Sequence, residues 1–296
     1  MARLLAATER GLHAVGGGPV ELGDREVTGL VVEGERRWAI VDGDEIVSSA
    51  DGQRWTTKAQ TDGSFRCLLP TAEGALVGTD GAHLLRLGPS GAEPVVGFDK
   101  APGREEWYTP WGGPPDTRSL SAEAGALYAN VHVGGILRSR DGGESWDPTI
   151  DVDADVHQVL AGFDGPGHVL AATAAGLAVS HDGGETWTFA TDGLHSTYSR
   201  AVAVAGETIV VSASSGPRGD RSALYRTAVV GGAFERCRQG LPEWFDANID
   251  TFCLAASGSA VACGTRGGEV FASHDEGVSW EALAAGLPPV RAIGFA

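Results

Sequence analysis

The sequence predicts an all-β repeat fold, and three observations carry that reading. Forty-four glycines in 296 residues cut the chain into short apolar runs, the pattern of many short strands joined by turns. No stretch sustains a helical period of apolar residues. One octamer also recurs three times, as Ser139-Arg-Asp141-Gly-Gly143-Glu-Ser145-Trp146, Ser180-His-Asp182-Gly-Gly184-Glu-Thr186-Trp187 and Ser273-His-Asp275-Glu-Gly277-Val-Ser279-Trp280. Self-similarity at a period of roughly 20–50 residues marks a repeat architecture.

Each copy reads Ser-x-Asp-x-Gly-x-Ser/Thr-Trp. Such an octamer suits a strand–turn–strand staple. The Asp carboxylate accepts turn N–H bonds, Gly supplies a left-handed residue, and Trp covers the turn. The octamer resembles the Asp-box, or bacterial neuraminidase repeat, and nearly the whole chain is similar to that family of β-propellers. The resemblance implies four-stranded blades, with each box on the outer rim, away from the central channel.

The blades follow in order. Leu4–Thr8 reads as a strand, followed by the turn Leu12-His-Ala-Val-Gly16. Ser49-Ala-Asp51-Gly-Gln-Arg-Trp55 is a shortened box, 90 residues before Asp141. Asp141 and Asp182 lie 41 residues apart, which is one blade, so the gap of 90 is two. Leu84-Leu-Arg-Leu-Gly88 fills the degenerate blade between them. The 93 residues from Asp182 to Asp275 are likewise two blades, with Leu224–Thr227 and Gly231–Phe234 in the hidden repeat. Seven turns result. The chain opens with what reads as a second strand and closes with Val290–Phe295, which reads as a first strand. Pairing them completes blade one from residues 1–24 and 289–296, and hides strand edges. The expectation is a seven-bladed β-propeller with N/C-terminal closure of one blade, a single domain over residues 1–296. Two long connections, Ala101–Asp116 and Gly240–Asn248, carry Trp107, Tyr108, Trp111, Trp244 and Phe245 and read as ordered, functional loops.

A formal charge of −17 argues against nucleic acid and anionic membrane as partners. The apolar stretch of Met1–Arg10 is too short for a signal peptide, and no run reaches membrane-spanning length, so a cytoplasmic location is expected. Cys67, Cys237, Cys253 and Cys263 lack metal-ligand spacing and read as small buried hydrophobes.

Aligned by blade, the innermost strands start Glu26-Val-Thr28, Ser64-Phe-Arg66, Asp116-Thr-Arg118, Asp155-Val-His157, Tyr198-Ser-Arg200, Asp250-Thr-Phe252 and Pro289-Val-Arg291. An aliphatic follows each two residues later, and the shared parity fixes the register. The third position then forms a ring at the channel mouth: Thr28, Arg66, Arg118, His157, Arg200, Phe252 and Arg291. Four arginines and a histidine converge in an otherwise acidic protein. Convergent guanidinium groups repel one another unless an anion, or a ring of carboxylates, offsets them. Arg66, Arg118, Arg200 and Arg291, with Trp107, Trp111 and Trp244 above them, are the expected ligand-binding set. Their expected ligand is a small carboxylate- or phosphate-bearing molecule.

His157 lies in the ring, His132 follows the second strand of the preceding blade, and His195 lies in the next connection, before Tyr198. Three histidines on consecutive blades suit a transition metal, Zn, Cu or Fe, with Asp155 as ligand or orienter. The same residues, with Tyr198, suit general acid–base work in a hydrolase or lyase. No close sequence spacing favours the metal over the acid–base role.

The Asp-box is shared by sialidases, xyloglucan-degrading enzymes, sorting-receptor ectodomains and photosystem assembly factors, and fold does not imply function. Sialidase resemblance would assign Arg66, Arg118 and Arg200 to a carboxylate triad and Tyr198 to the nucleophile. Sialidases have six blades, however, and no Glu stands beside Tyr198. Xyloglucan hydrolysis needs two carboxylates across a cleft, for which Asp116, Asp155, Asp250 and Glu26 are candidates. The alternative to a small-molecule site is a non-catalytic scaffold that binds a protein partner through the same arginine patch.

Overall fold

The computed structural model describes residues 3–109, 112–229 and 231–296. Seven antiparallel sheets are arranged around a channel. The innermost strands are Val290–Phe295, Val27–Glu33, Phe65–Pro70, Thr117–Glu123, Val156–Ala161, Val202–Ala205 and Leu254–Ser257, for blades one to seven. Each touches the next, and the last touches the first, so the ring is closed. The fold is the expected seven-bladed propeller.

Blade one is clasped by both ends of the chain. Leu4–Thr8 pairs with Val290–Phe295 on one side and with Gly11–Ala14 on the other. This sheet has three strands where four were expected. Its outer position is reduced to a single bridge between Leu12 and Glu21. The segment between them carries Gly16, Gly17 and Gly18, all at positive φ, which breaks the extended backbone that a fourth strand requires.

Seven apolar clusters hold the ring, one between each pair of adjacent blades. The short Val/Ile/Leu/Ala strands are therefore buried on both faces, as in Val169–Thr173 and Thr208–Ala213, where every residue is buried. All four cysteines sit in this core as free thiols. Burial pushes the Cys237 thiol up to about 12 and the others higher still, so they act as small apolar residues.

The boxes bridge third and fourth strands on the rim. In the first, the Ser139 hydroxyl donates to Asp141 Oδ1 at 2.8 Å and accepts from Gly143 N at 2.8 Å. Asp141 also accepts from the Ser145 N–H at 3.0 Å and the Ser145 hydroxyl at 2.6 Å. Asp182 and Asp275 repeat this set. The hydroxyl of Ser279, then its N–H and the Ser273 hydroxyl, push the Asp275 carboxyl down to about 2.

The tryptophans differ. Trp146 and Trp280 are buried, and each indole donates to the carbonyl of its own box glycine, Gly143 or Gly277. Trp146 meets the edge of Phe98 with ring centroids 5.2 Å apart. Trp187 is only half-buried and donates instead to Thr149 O on the preceding blade, at 2.8 Å.

Trp146→Ala should therefore cost about 3–5 kcal/mol in denaturant unfolding, the range for truncating a buried aromatic, and Trp187→Ala should cost clearly less. Asp275 is held below its unfolded value, so its contribution is present above about pH 4 and fades as pH falls through about 2. The gap in unfolding free energy between wild type and Asp275→Asn should accordingly be full at pH 7 and narrow on acidification below pH 4.

Candidate functional site at the channel mouth

A repeated irregularity builds the mouth. On blade four, Thr117 pairs with Val131 and Ser119 with Asn130, so Arg118 is an extra residue with no partner on the second strand. The same skip occurs at Thr28, Arg66, His157 and Arg291. A β-bulge of this kind bends the strand and re-aims the extra side chain. Five of the seven expected ring positions are thus bulge residues. Arg200 and Phe252 precede their strands, and Phe252 takes a left-handed φ of 67°.

Four ring residues line one cleft of about 250 Å³: Arg66, Arg118, Arg200 and Phe252, joined by Asp116, Asp250 and Thr251. Arg66 Nε lies 3.5 Å from Asp116 Oδ1. Arg200 donates through Nη1 to Asp250 and through Nη2 to the Tyr198 hydroxyl at 3.3 Å. Its guanidinium also lies over the Tyr198 ring, 5.4 Å from the centroid. Arg118 is different. Among the described residues it has neither a hydrogen bond nor an ion pair, and burial, then repulsion from Arg200, lowers the pKa of its guanidinium. Three guanidiniums share the cleft with two carboxylates, leaving one positive charge in excess.

Beside Arg118 lies a second group. Asp155 Oδ1 is 3.2 Å from His132 Nε2 and 3.6 Å from His157 Nε2. His157 is fully buried, and its Nδ1–H donates to Ser199 O at 2.7 Å. The neighbouring strand is tied in by Ser119, which donates to Asn130 Oδ1 and accepts from Val159 N, while Asn130 donates to Val156 O. Burial, followed by the charges of Arg118 and Arg200, pushes His157 well below the usual imidazole range, so its ring is neutral at pH 7. Burial alone would raise the Asp155 carboxyl, but contact with His132 and the positive field of its neighbours hold it below the normal value. The Tyr198 ring packs 4.8 Å from that of His157.

Several expected site residues lie elsewhere. His195 does not join His132 and His157. Its Nδ1 lies 2.8 Å from the Tyr225 hydroxyl, and its ring rests against Tyr225 and Trp244. Trp244 is covered by the Arg236 guanidinium at 3.7 Å. Trp107 packs on Phe98 and Arg104. Neither indole lines the cleft: Trp107 is held by Phe98 and Arg104, and Trp244 by His195 and Arg236. Trp111 falls outside the described residues. Arg291 is bound by Glu26 at 2.9 Å and Glu9 at 2.5 Å and also stays out of the cleft.

Sequence reasoning missed Thr251 and Ser199. The Thr251 hydroxyl lies 3.0 Å from Arg200 O and 3.2 Å from His157 O, tying blade seven to blades six and five beneath the cleft. Its neighbour Asp250 was the one available signal. No pattern marks Ser199, whose contribution is a backbone carbonyl.

The BNR/Asp-box repeat model matches residues 178–189. No curated protein matches the chain. Among solved structures, the WD40 β-propeller domain of Doa1 is similar at 13% identity and a TM-score of 0.65, over 95% of this chain and 86% of that one. The GH74 xyloglucanase from Xanthomonas campestris is similar at 15% identity and 0.60, over 95% of this chain but only 47% of that one. YCF48 bound to D1 peptide is similar at 15% identity and 0.51, over 75% of this chain and 67% of that one. At such identities the likeness is one of fold. The chain is a seven-bladed β-propeller that carries an Asp-box repeat. No helix among the described residues is long and apolar enough to cross a membrane.

The neutral His157 has a measurable consequence. Its unfolded form takes up a proton below about pH 6.5, whereas the folded form does not until far lower pH. The contribution is therefore full above about 6.5 and lost as pH falls, by up to about 1.4 kcal/mol per pH unit. His157→Gln should flatten the pH dependence of unfolding between about pH 6.5 and 5 by up to one proton.

Proposed function

We propose that the chain binds a small anion, a carboxylate or phosphate, at the channel mouth, with Arg118 as the central donor and Arg66 and Arg200 beside it. The observation that carries this reading is Arg118 itself: a largely enclosed guanidinium with neither a hydrogen bond nor an ion pair among the described residues, next to two arginines that have carboxylates. Desolvated charge without a partner is costly, and an oxyanion would offset both the burial and the repulsion from Arg200. A cleft of about 250 Å³ suits one oxyanion group and a few attached atoms, since sites for drug-sized ligands run to roughly 300–1,000 Å³. Turnover of that ligand, in a hydrolase or lyase, would draw on His132, Asp155, His157 and Tyr198. A cytoplasmic setting fits the four free cysteines, since thiols stay reduced there.

The second reading is a protein partner that presents its carboxylate to the same arginines. It is favoured by the absence of Trp107 and Trp244 from the cleft, which leaves no described indole as a roof. YCF48, a propeller of similar fold, is seen bound to a peptide.

Calorimetry with inorganic phosphate, and with short peptides ending in a free or an amidated carboxyl group, separates the two. Binding of phosphate supports the first reading, and binding of the free-acid peptide alone supports the second. In either case Arg118→Lys should weaken binding by about tenfold or more, because an ammonium cannot reproduce the planar fork. Unchanged affinity in Arg118→Lys would remove the mouth as the site.

A further inference from the structure

One nitrogen of the buried His157 ring has a hydrogen-bond partner, and the other has none among the described residues. A carbonyl oxygen can only accept, so the contact with Ser199 O places the ring proton on Nδ1. Nε2 of the neutral ring then carries a lone pair. It is buried, without a hydrogen-bond partner among the described residues, and it faces Asp155 Oδ1 at 3.6 Å. A lone pair aimed at a carboxylate oxygen is repulsive, and burial deepens the cost. Protonating Nε2 would relieve it but would place a cation in a dry site beside Arg118 and Arg200. A different cation between the two atoms relieves it directly.

We propose that His132 Nε2, His157 Nε2 and Asp155 Oδ1 bind a divalent first-row transition metal ion, such as Zn2+, Co2+ or Fe2+. Their ligand atoms lie within 4.8 Å of one another. In a tetrahedral site with bonds of about 2.0–2.1 Å, ligand atoms are about 3.3–3.4 Å apart. The two edges seen here, 3.2 and 3.6 Å, bracket that spacing. Two imidazoles and one carboxylate are borderline donors, which select such ions over Ca2+ or Mg2+. The surroundings also hold the donors in place. Ser199 O fixes the tautomer and plane of His157, as carbonyls do for metal-bound histidines. The backbone N–H of His132 donates to Asp116 O at 2.9 Å, which fixes the chain at the base of that side chain. Asp155 takes a left-handed φ of 45°, an uncommon conformation for a residue other than glycine. Three protein donors leave a fourth position open for water or a ligand oxygen.

This inference does not depend on the anion reading, and the two are tested separately. Tag-free, chelator-stripped protein is titrated with Co2+ alone, and the visible absorption of the bound ion is read. One equivalent per chain is expected, with the intensity of a low-coordinate site. Asp155→Asn, which keeps the side-chain shape, and His132→Gln should each weaken uptake at least about 100-fold, the upper end of the effect of an outer partner. His274→Gln, at an exposed histidine on the rim, should leave uptake unchanged. Thermal unfolding reports whether each variant is folded, and bound Co2+ should raise the midpoint of wild type but not of Asp155→Asn. Absence of a visible band in wild type overturns the proposal, as does equal uptake by folded Asp155→Asn. Phosphate calorimetry with Arg118→Lys reads the anion site whatever the Co2+ result.

Discussion

One extra residue in each of five inner strands shapes the functional face of this propeller. A regular ladder would send alternate side chains into the two adjoining inter-blade cores, which are filled by Val, Leu and Ala. The bulge takes a single residue out of that alternation just where the strand leaves the mouth. Arg118 and His157 are therefore free of cross-strand pairing while the residues on either side of each remain in register. One residue further along, Ser119 and Gln158 are buried, and their polar groups are taken up by hydrogen bonds to the second strand and the neighbouring inner strands. The mouth is thus a by-product of how each blade begins, and its chemistry can vary from blade to blade while the core stays constant.

Blade number and closure were legible in the sequence because both depend on short-range rules. The boxes announce turns through Asp, Gly and Trp at fixed offsets, and the spacing between Asp141 and Asp182 measures a blade. The weak strand set of blade one was less legible, since the glycines at 16–18 weaken a strand without replacing it by anything recognisable. In the candidate site, the shared parity of the inner strands found the ring positions, and the cluster of His132, Asp155 and His157 followed from blade adjacency. Which arginines are satisfied was not legible. Arg291 and Arg118 occupy equivalent positions, and only the three-dimensional placement of Glu9 and Glu26 distinguishes them. His195 was misplaced for a related reason: its connection folds back on Tyr225 and Trp244, a choice made by stacking that leaves no periodic trace.

Charge is distributed with the same economy. The chain is acidic overall, yet three guanidiniums share the cleft with only two acids. An anion approaching from solvent meets a repulsive outer field and an attractive centre, which disfavours weak, diffuse association and rewards a ligand that fits. Arg200 is anchored by Asp250, Tyr198 and the Pro217 carbonyl, so it can hold its place as a fixed wall while Arg118 retains unused donors.

The clasp in blade one also sets an order of events at the ribosome. Leu4 finds its inner partner only in Phe295, and synthesis of the intervening chain takes roughly 15–60 s at ordinary elongation rates. During that interval the other six blades can assemble side by side, while Leu4–Thr8 holds a sheet position open with one row of backbone N–H and C=O groups unpaired. Bringing such distant segments together costs about 5 kcal/mol in loop entropy for an unstructured chain, but far less once the six blades curve the ends toward each other. The ring is closed by a strand made after the other six blades, and a nascent chain stalled before residue 290 would present an apolar strand edge to its neighbours.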